Sequence, residues 1–213
     1  MVIDTQIAIK TAELLLQVNA IKLNPDHPFV WSSGWNSPIY CDNRITLSFP
    51  EVRTFIKESL CHLIQNKFQD AEMIAGVATA GIAHGALIAD ELDMPFCYVR
   101  STPKSHGLTN QIEGMILENQ KTVVIEDLIS TGGSSLSVVD ALRKVNANVM
   151  GLAAIFDYGF QTAEINFAHS NCSFFTLTNY EVLINTAVNK GFIAESQLES
   201  LKQWRLNPST WKK

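Results

Sequence analysis

The chain has 213 residues, of which 46% are hydrophobic and 17% are charged, and its formal net charge is -5. A chain of this length can bury a sizeable core without metal or disulfide support, so one α/β domain accounts for it. The negative balance offers no basic surface for a nucleic-acid backbone, and we do not expect nucleic acid as the main partner.

The four cysteines are widely separated and form neither a C-x-x-C pair nor a Cys/His cluster at zinc-ligand spacing. We therefore expect reduced thiols and no metal site built from the protein's own side chains. The first residues carry acids where a signal peptide carries basic residues, and no apolar run approaches the ~18 residues of a membrane span. These features predict a cytoplasmic protein without membrane association.

The N-terminal part predicts one helix and a small antiparallel unit. Residues 4–19 place apolar side chains at helical spacing, and Asp4 or Thr5 can cap the start. In residues 29–44, two aromatic and β-branched runs flank S-S-G-W-N-S-P, a pattern typical of strand, turn and strand.

From Pro50 onwards helices and strands alternate. The predicted order is helix 51–68, strand 73–78, helix 81–92, strand 95–100, polar loop 101–114, strand 122–127, helix 134–145, strand 148–156, helix 161–168, strand 173–178 and two C-terminal helices. Alternation of this kind is typical of β-α-β units, and continuous apolar strands indicate a parallel sheet covered on both faces.

One stretch, V-V-I-E-D-L-I-S-T-G-G-S-S at residues 123–135, carries the clearest chemistry. Ligands of an open parallel sheet bind outside the carboxyl ends of its strands, and a small-residue loop at a helix start exposes N–H groups to a phosphate. Glu126 and Asp127 would repel that phosphate, so they should face sugar hydroxyls or a magnesium ion shared with the ligand. The alternative is a capped turn with two solvated acids.

Two other nucleotide motifs are excluded. Residues 76–83 have the glycine spacing of a P-loop, but Ile82 and Ala83 stand where Lys and Ser/Thr are required. No G-x-G-x-x-G occurs, which excludes the dinucleotide fingerprint.

Residues 123–135 resemble the thirteen-residue signature of the type I phosphoribosyltransferases, which bind 5-phosphoribosyl 1-diphosphate (PRPP). The resemblance implies an α/β fold with a parallel-sheet core flanked by helices and a small N-terminal hood element. It implies that the loop takes the 5'-phosphate and the acids take the ribose hydroxyls. The implied PRPP-binding residues in this stretch are Glu126, Asp127, Leu128, Ile129, Ser130, Thr131, Gly132, Gly133 and Ser134.

Two further stretches are similar to the orotate phosphoribosyltransferases, namely F-V-W-S-S-G-W-N-S-P-I-Y-C-D-N-R (29–44) and Y-V-R-S-T-P-K-S-H-G-L-T-N-Q-I-E-G (98–114). The second resembles a mobile catalytic loop, in which Arg100, Lys104 and His106 would reach the diphosphate from a neighbouring subunit. This implies a homodimer that shares the loop at 101–113. The resemblance makes Lys104, Glu126 and Asp127 the catalytic residues.

Orotate contacts implied by the resemblance are Ser130, Ser33 and Gly34. The segment T-A-G-I-A (79–83) resembles the family's diphosphate loop, although a plain strand-to-helix turn would show the same sequence pattern.

The chain departs from the family's pattern at three places. Ser101 and Ser32 stand where many members have basic residues, and the strand ending A-I-F-D-Y-G-F lacks an Arg that a subset uses for the orotate carboxylate.

The resulting hypothesis is one phosphoribosyltransferase domain over 1–213, with an N-terminal helix and hood strands to about 48, an α/β core to about 180 and C-terminal helices beyond. It would transfer the phosphoribosyl group of PRPP to orotate, with Mg²⁺ entering bound to PRPP. Two alternatives stay open, an enzyme for another nucleobase and a PRPP-sensing regulator without catalysis.

Overall fold

The computed structural model describes residues 2, 4–31, 34–100 and 111–212. The helices are α1 (Thr5–Gln17), α2 (Pro50–Lys67), α3 (Ala80–Glu91), α4 (Gly133–Lys144), α5 (Gln161–His169), α6 (Tyr180–Asn189) and α7 (Leu198–Leu206). The strands are β1 (Ile21–Leu23), β2 (Phe29–Val30), β3 (Asn36–Ser37), β4 (Ile39–Cys41), β5 (Met73–Val77), β6 (Phe96–Val99), β7 (Ile112–Glu113), β8 (Lys121–Ile129), β9 (Asn148–Asp157) and β10 (Phe174–Asn179). Short 3-10 helices span Asn43–Ser48 and Glu195–Gln197.

The central sheet has the strand order β10-β9-β8-β5-β6-β7. All its pairs are parallel except that of β7 with β6. After β5 the chain passes to β6 on one side, and then to β8, β9 and β10 on the other. The direction of winding therefore reverses between β5 and β8, which is where an open parallel sheet forms a ligand crevice at its carboxyl edge.

Helices cover both faces of this sheet, and the alternation of side chains along β8 divides the core. Val123 and Ile125 pack into the cluster that includes residues of α1, α2, α6 and α7, whereas Val124 packs into the cluster formed with α4 and α5. Successive strand residues point to opposite faces, so an uninterrupted apolar run is buried on both. The predicted α/β fold class is confirmed.

The N-terminal strands pair differently from the predicted single hairpin. β2 pairs with β3, whereas β4 pairs with β1, and both pairs are antiparallel. Gly34, with φ of 79°, lies in the turn between β2 and β3, and its N–H donates to the carbonyl of Trp31 at 2.8 Å. The prediction missed β1 because I-K-L is too short to carry a periodicity. We call β1 to β4 the hood strands.

A second difference is β7, which falls inside the predicted polar loop 101–114. Its two residues pair with Tyr98 and Val99, and Ile112 is buried. A two-residue strand at the sheet edge has no pattern of its own, so only the tertiary pairing defines it.

The C-terminal helix α7 packs against the hood strands. Trp204 is fully buried, and its indole Nε1 donates to the carbonyl of Asn36 at 3.2 Å. Its ring lies 5.5 Å from that of Trp31 and 5.9 Å from that of Tyr158, between centroids. The hood is therefore held between α7 and the carboxyl end of β9.

Candidate active site

Glu126 and Asp127 lie near the carboxyl end of β8, beside the point where the winding reverses. Glu126 is only 6% exposed, and both its oxygens accept hydrogen bonds at 3.1 Å, one from the Ser135 hydroxyl and one from the Asp127 backbone N–H. Asp127 is half-buried. Glu126 is thus fixed in one orientation, while Asp127 keeps access to a ligand.

Burial dominates the electrostatics of this acid pair. It raises the pKa of Glu126 well above its usual range, and the neighbouring charge of Asp127 raises it further. Burial also raises the pKa of Asp127, although the hydrogen bond with Glu126 and the charge of Arg44 oppose the shift. Partly desolvated and incompletely neutralised carboxylates favour a hydroxyl donor or a positive charge beside them.

The loop from Ser130 to Gly132 connects β8 to the start of α4. Gly132 has φ of 81°, and a Cβ at this position would lie 2.6 Å from Cε2 of Phe167. Asn166 donates its side-chain amide to the Thr131 carbonyl at 2.9 Å. No side chain caps α4, whose first N–H groups lack intrahelical acceptors, so this helix start suits an anion.

A second helix start lies beside the acid pair. A Cβ on Gly81, in the first turn of α3, would lie 2.4 Å from the Ile125 carbonyl oxygen, and one on Gly76 would lie 2.8 Å from the Gly81 oxygen. Only glycine permits this approach of α3 to β5 and β8. The starts of α3 and α4 therefore flank the acids, as two anion sites on either side of a sugar would require.

Asn43, which the sequence prediction did not single out, connects the hood segment to the acid pair. Its side chain is fully buried and its amide donates to the backbone carbonyl of Asp127 at 2.8 Å. Its own carbonyl accepts from the Thr46 hydroxyl at 2.6 Å. The one available signal was a polar residue two positions after the end of β4, which does not reveal a partner far along the chain.

The predicted catalytic loop begins at Arg100, directly after β6. Its backbone N–H donates to the Gln111 carbonyl at 2.9 Å, and the Gln111 side chain returns a hydrogen bond to the Arg100 carbonyl at 3.2 Å. The Arg100 guanidinium lies 3.7 Å from a carboxylate oxygen of Glu113. The two ends of the loop are thus joined, while Lys104 and His106 lie outside the described residues.

The predicted base contacts are divided between the hood and β8. Gly34 occupies the hood turn, Ser130 follows β8, and Ser33 lies outside the described residues. Hood and sheet meet through Trp31, whose ring contacts that of Tyr158 at 5.5 Å between centroids. The Tyr158 N–H donates to the Ile129 carbonyl at 3.0 Å, and Ser130 follows Ile129 directly. The hood residue Trp31 therefore packs on the neighbour of the strand end that carries Ser130.

Neither a metal centre nor a membrane span is found in the described parts of the chain. Over these ranges no three His, Cys, Asp or Glu side chains come together as a metal site would require. Among the same residues, no helix has both the length and the apolar character needed to cross a bilayer.

This combination of fold and site defines a phosphoribosyltransferase. Residues 48–188, about two thirds of the chain, match the family of the phosphoribosyl transferase domain. An orotate phosphoribosyltransferase of Cytophaga hutchinsonii is 53% identical over 199 residues, covering 93% of this chain and 95% of the relative. One of Bacillus pumilus is 54% identical over 201 residues, covering 94% and 95% respectively.

A solved structure agrees with these relatives. The crystal structure of orotate phosphoribosyltransferase from Aeropyrum pernix has a TM-score of 0.75 and 25% identity, covering 86% of this chain and 99% of that one. The chain belongs to the orotate phosphoribosyltransferase family.

Proposed function

We propose that the chain transfers the phosphoribosyl group of PRPP to a ring nitrogen of orotate, giving orotidine 5'-monophosphate and diphosphate. The observation that carries the proposal is the acid pair at the end of β8, flanked by the uncapped start of α4 and by the close approach of α3. The naming of the relatives as orotate phosphoribosyltransferases supports orotate as the acceptor.

In the reaction the bond from C1 of the ribose to the diphosphate oxygen breaks, and the leaving group takes the electron pair. The ring nitrogen of orotate then bonds to C1 and loses its proton. Positive charge develops on the ribose as the bond breaks, as in other glycosyl transfers. Glu126 and Asp127 hold the ribose hydroxyls, and the negative charge of the pair favours the developing cation.

The phosphates of PRPP are assigned to different parts of the site. The loop at Ser130, Thr131 and Gly132, with Gly133 and Ser134 at the start of α4, takes the 5'-phosphate. The start of α3 takes the diphosphate. Arg100, Lys104 and His106 supply the positive charge that the departing diphosphate requires, and closure of their loop excludes water.

Magnesium fits this site as an ion carried by PRPP. Carboxylate and phosphate oxygens are its preferred ligands, Asp127 supplies an accessible carboxylate, and the described residues form no dedicated cage. When bound, the ion neutralises diphosphate charge. We further propose a cytoplasmic homodimer in which residues 101–113 serve the neighbouring subunit.

Incubation with PRPP, Mg²⁺ and one base at a time tests the proposal, with loss of orotate absorbance as the readout. We expect turnover with orotate and none with adenine, guanine or hypoxanthine. Turnover with a purine and not with orotate would show that the protein is a phosphoribosyltransferase for another nucleobase. Binding of PRPP without turnover of any base would establish the regulator.

A further inference from the structure

Arg205 belongs to α7, yet its side chain reaches the turn that follows β9. A Cβ built on Gly159 would lie 3.3 Å from Nη1 of Arg205, so the guanidinium lies against the backbone of that turn. Gly159 has φ of 68°, a left-handed conformation that glycine adopts without strain. A side chain at this position would meet the guanidinium.

The turn after β9 adjoins the part of the site assigned to the base. Asp157 pairs in register with Ile129, and the next residue, Tyr158, donates its N–H to the Ile129 carbonyl at 3.0 Å. Ser130 follows Ile129 directly. The turn holding Gly159 and the loop starting at Ser130 therefore leave the sheet side by side at its carboxyl edge.

The residue before Arg205 holds this part of α7 in place. Trp204 is fully buried, donates to the Asn36 carbonyl and packs its ring against those of Trp31 and Phe160, at 5.5 and 5.6 Å between centroids. These contacts hold α7 against both the hood and the segment after β9. Arg205 follows Trp204 directly, so its backbone is held beside the turn after β9.

Arg205 also keeps donors available for an anion. Among the described residues it forms no ion pair with a carboxylate, whereas Arg44, which lies near the acid pair, is held by both oxygens of Asp42 at 2.7 and 2.9 Å. Asp157, at the end of β9, is buried and accepts a hydrogen bond from the Gly159 N–H at 2.8 Å. Burial raises the pKa of Asp157, and the hydrogen bond from Gly159 opposes this more strongly than the charge of Arg205 does.

We infer that Arg205 binds the carboxylate of orotate and is a specificity-determining residue for the base. This rests on the proposed function. The carboxylate is what distinguishes orotate from uracil, and the guanidinium fork matches a carboxylate with two parallel hydrogen bonds. A cation at the β9 turn, beside the loop that starts at Ser130, would select the base that carries this group.

The test compares two nucleotides that differ only in this carboxylate, orotidine 5'-monophosphate and uridine 5'-monophosphate. Calorimetric titration gives the Kd of each for the unmodified protein and for Arg205→Gln. We expect Arg205→Gln to raise the Kd for orotidine 5'-monophosphate by about 10- to 100-fold, the range for loss of one charge-assisted hydrogen bond. The affinity for uridine 5'-monophosphate should be unchanged, which also reports an intact fold.

Two further variants sharpen the result. Lys202→Gln removes an exposed cation from the same helix and should leave both affinities unchanged. Arg205→Lys should restore part of the preference, because it returns the charge without the fork. The inference is overturned if Arg205→Gln lowers the affinities for both nucleotides equally, or if it changes neither affinity. Failure of the proposed function would look different, because the unmodified protein would then not turn over orotate with PRPP.

Discussion

At the scale of single residues, the negative charge of the acid pair at the end of β8 disfavours the folded state but favours the proposed reaction. Glu126 is buried, and none of the ion pairs among the described residues includes it. Its ionised form is therefore disfavoured in the folded state. The same negative charge is what a developing ribose cation needs. A substitution that removes the charge should therefore strengthen the fold and weaken the reaction.

Glu126→Gln tests this opposition through pH. The folded protein keeps the Glu126 proton to a higher pH than the unfolded chain, so the free energy of unfolding falls as pH rises from about 4.3 towards the raised pKa. The variant lacks this dependence and should be more stable than the unmodified protein at about pH 8, but not at about pH 4. Ser135 can donate to a carboxylate or accept from an amide, so its hydrogen bond persists.

Urea unfolding at both pH values measures the difference, with turnover recorded alongside. Glu58→Gln is the control, since Glu58 is exposed on α2 and its substitution should change stability equally at both. If Glu126→Gln changed the free energy of unfolding equally at both pH values, as expected for Glu58→Gln, the buried charge of Glu126 would not be destabilising.

At the scale of elements, the connection from β8 to α4 depends on one glycine for two separate reasons. Gly132 adopts a left-handed conformation, and it also packs directly under the ring of Phe167 in α5. The first requirement is local and can be expected from a glycine-rich turn. The second depends on where α5 lies in the folded protein.

Gly132→Ala should destabilise the protein by more than the ~1–2 kcal/mol of a left-handed residue, because the added Cβ meets Phe167. It should also raise the KM for PRPP by roughly 10-fold or more, since the N–H groups of the loop shift. Gly191→Ala is the matched control, with a φ of 74° and no atom within 4 Å of the added Cβ. Equal losses of stability in the two variants would show that the Phe167 contact is unimportant.

At the scale of the whole molecule, the C-terminal segment holds the hood in place. Besides the contacts of Trp204, the side-chain amide of Gln197 donates to Asp26 at 2.6 Å, and the ammonium of Lys212 donates to the Pro25 carbonyl at 2.6 Å. These bonds connect the end of the chain to residues before β2. The hood's position over the carboxyl edge of the sheet therefore depends on the chain from Gln197 onwards, which includes α7.

Trp204→Ala should lower the free energy of unfolding by about 3–5 kcal/mol, the usual cost of truncating a buried aromatic residue. It should raise the KM for orotate more than the KM for PRPP, because the hood contributes to the base side and not to the phosphate loop. Leu206→Ala, at a residue that is 77% exposed on the same helix, should change neither. An equal rise in both KM values would indicate general loosening of the site.

How far the sequence predicts this structure depends on how far apart the interacting residues are. β8, its loop and α4 were predicted within about two residues at each end, because apolar runs and small-residue turns are local signals. The bonds of Asn43 to Asp127 and of Trp204 to Asn36 span 84 and 168 positions, and no local pattern specifies either. The roles of all the predicted site residues stay predictions, and three of them, Lys104, His106 and Ser33, also lie outside the described residues.

The most direct measurement is the initial rate of orotate consumption, with saturating PRPP and Mg²⁺, for the unmodified protein and Asp127→Asn. We predict turnover by the unmodified protein and a rate about 10²- to 10³-fold lower for the variant, because one electrostatic contact to the ribose is lost. Thermal unfolding should show that the variant remains folded. Equal rates, or no orotate turnover by the unmodified protein, would contradict it.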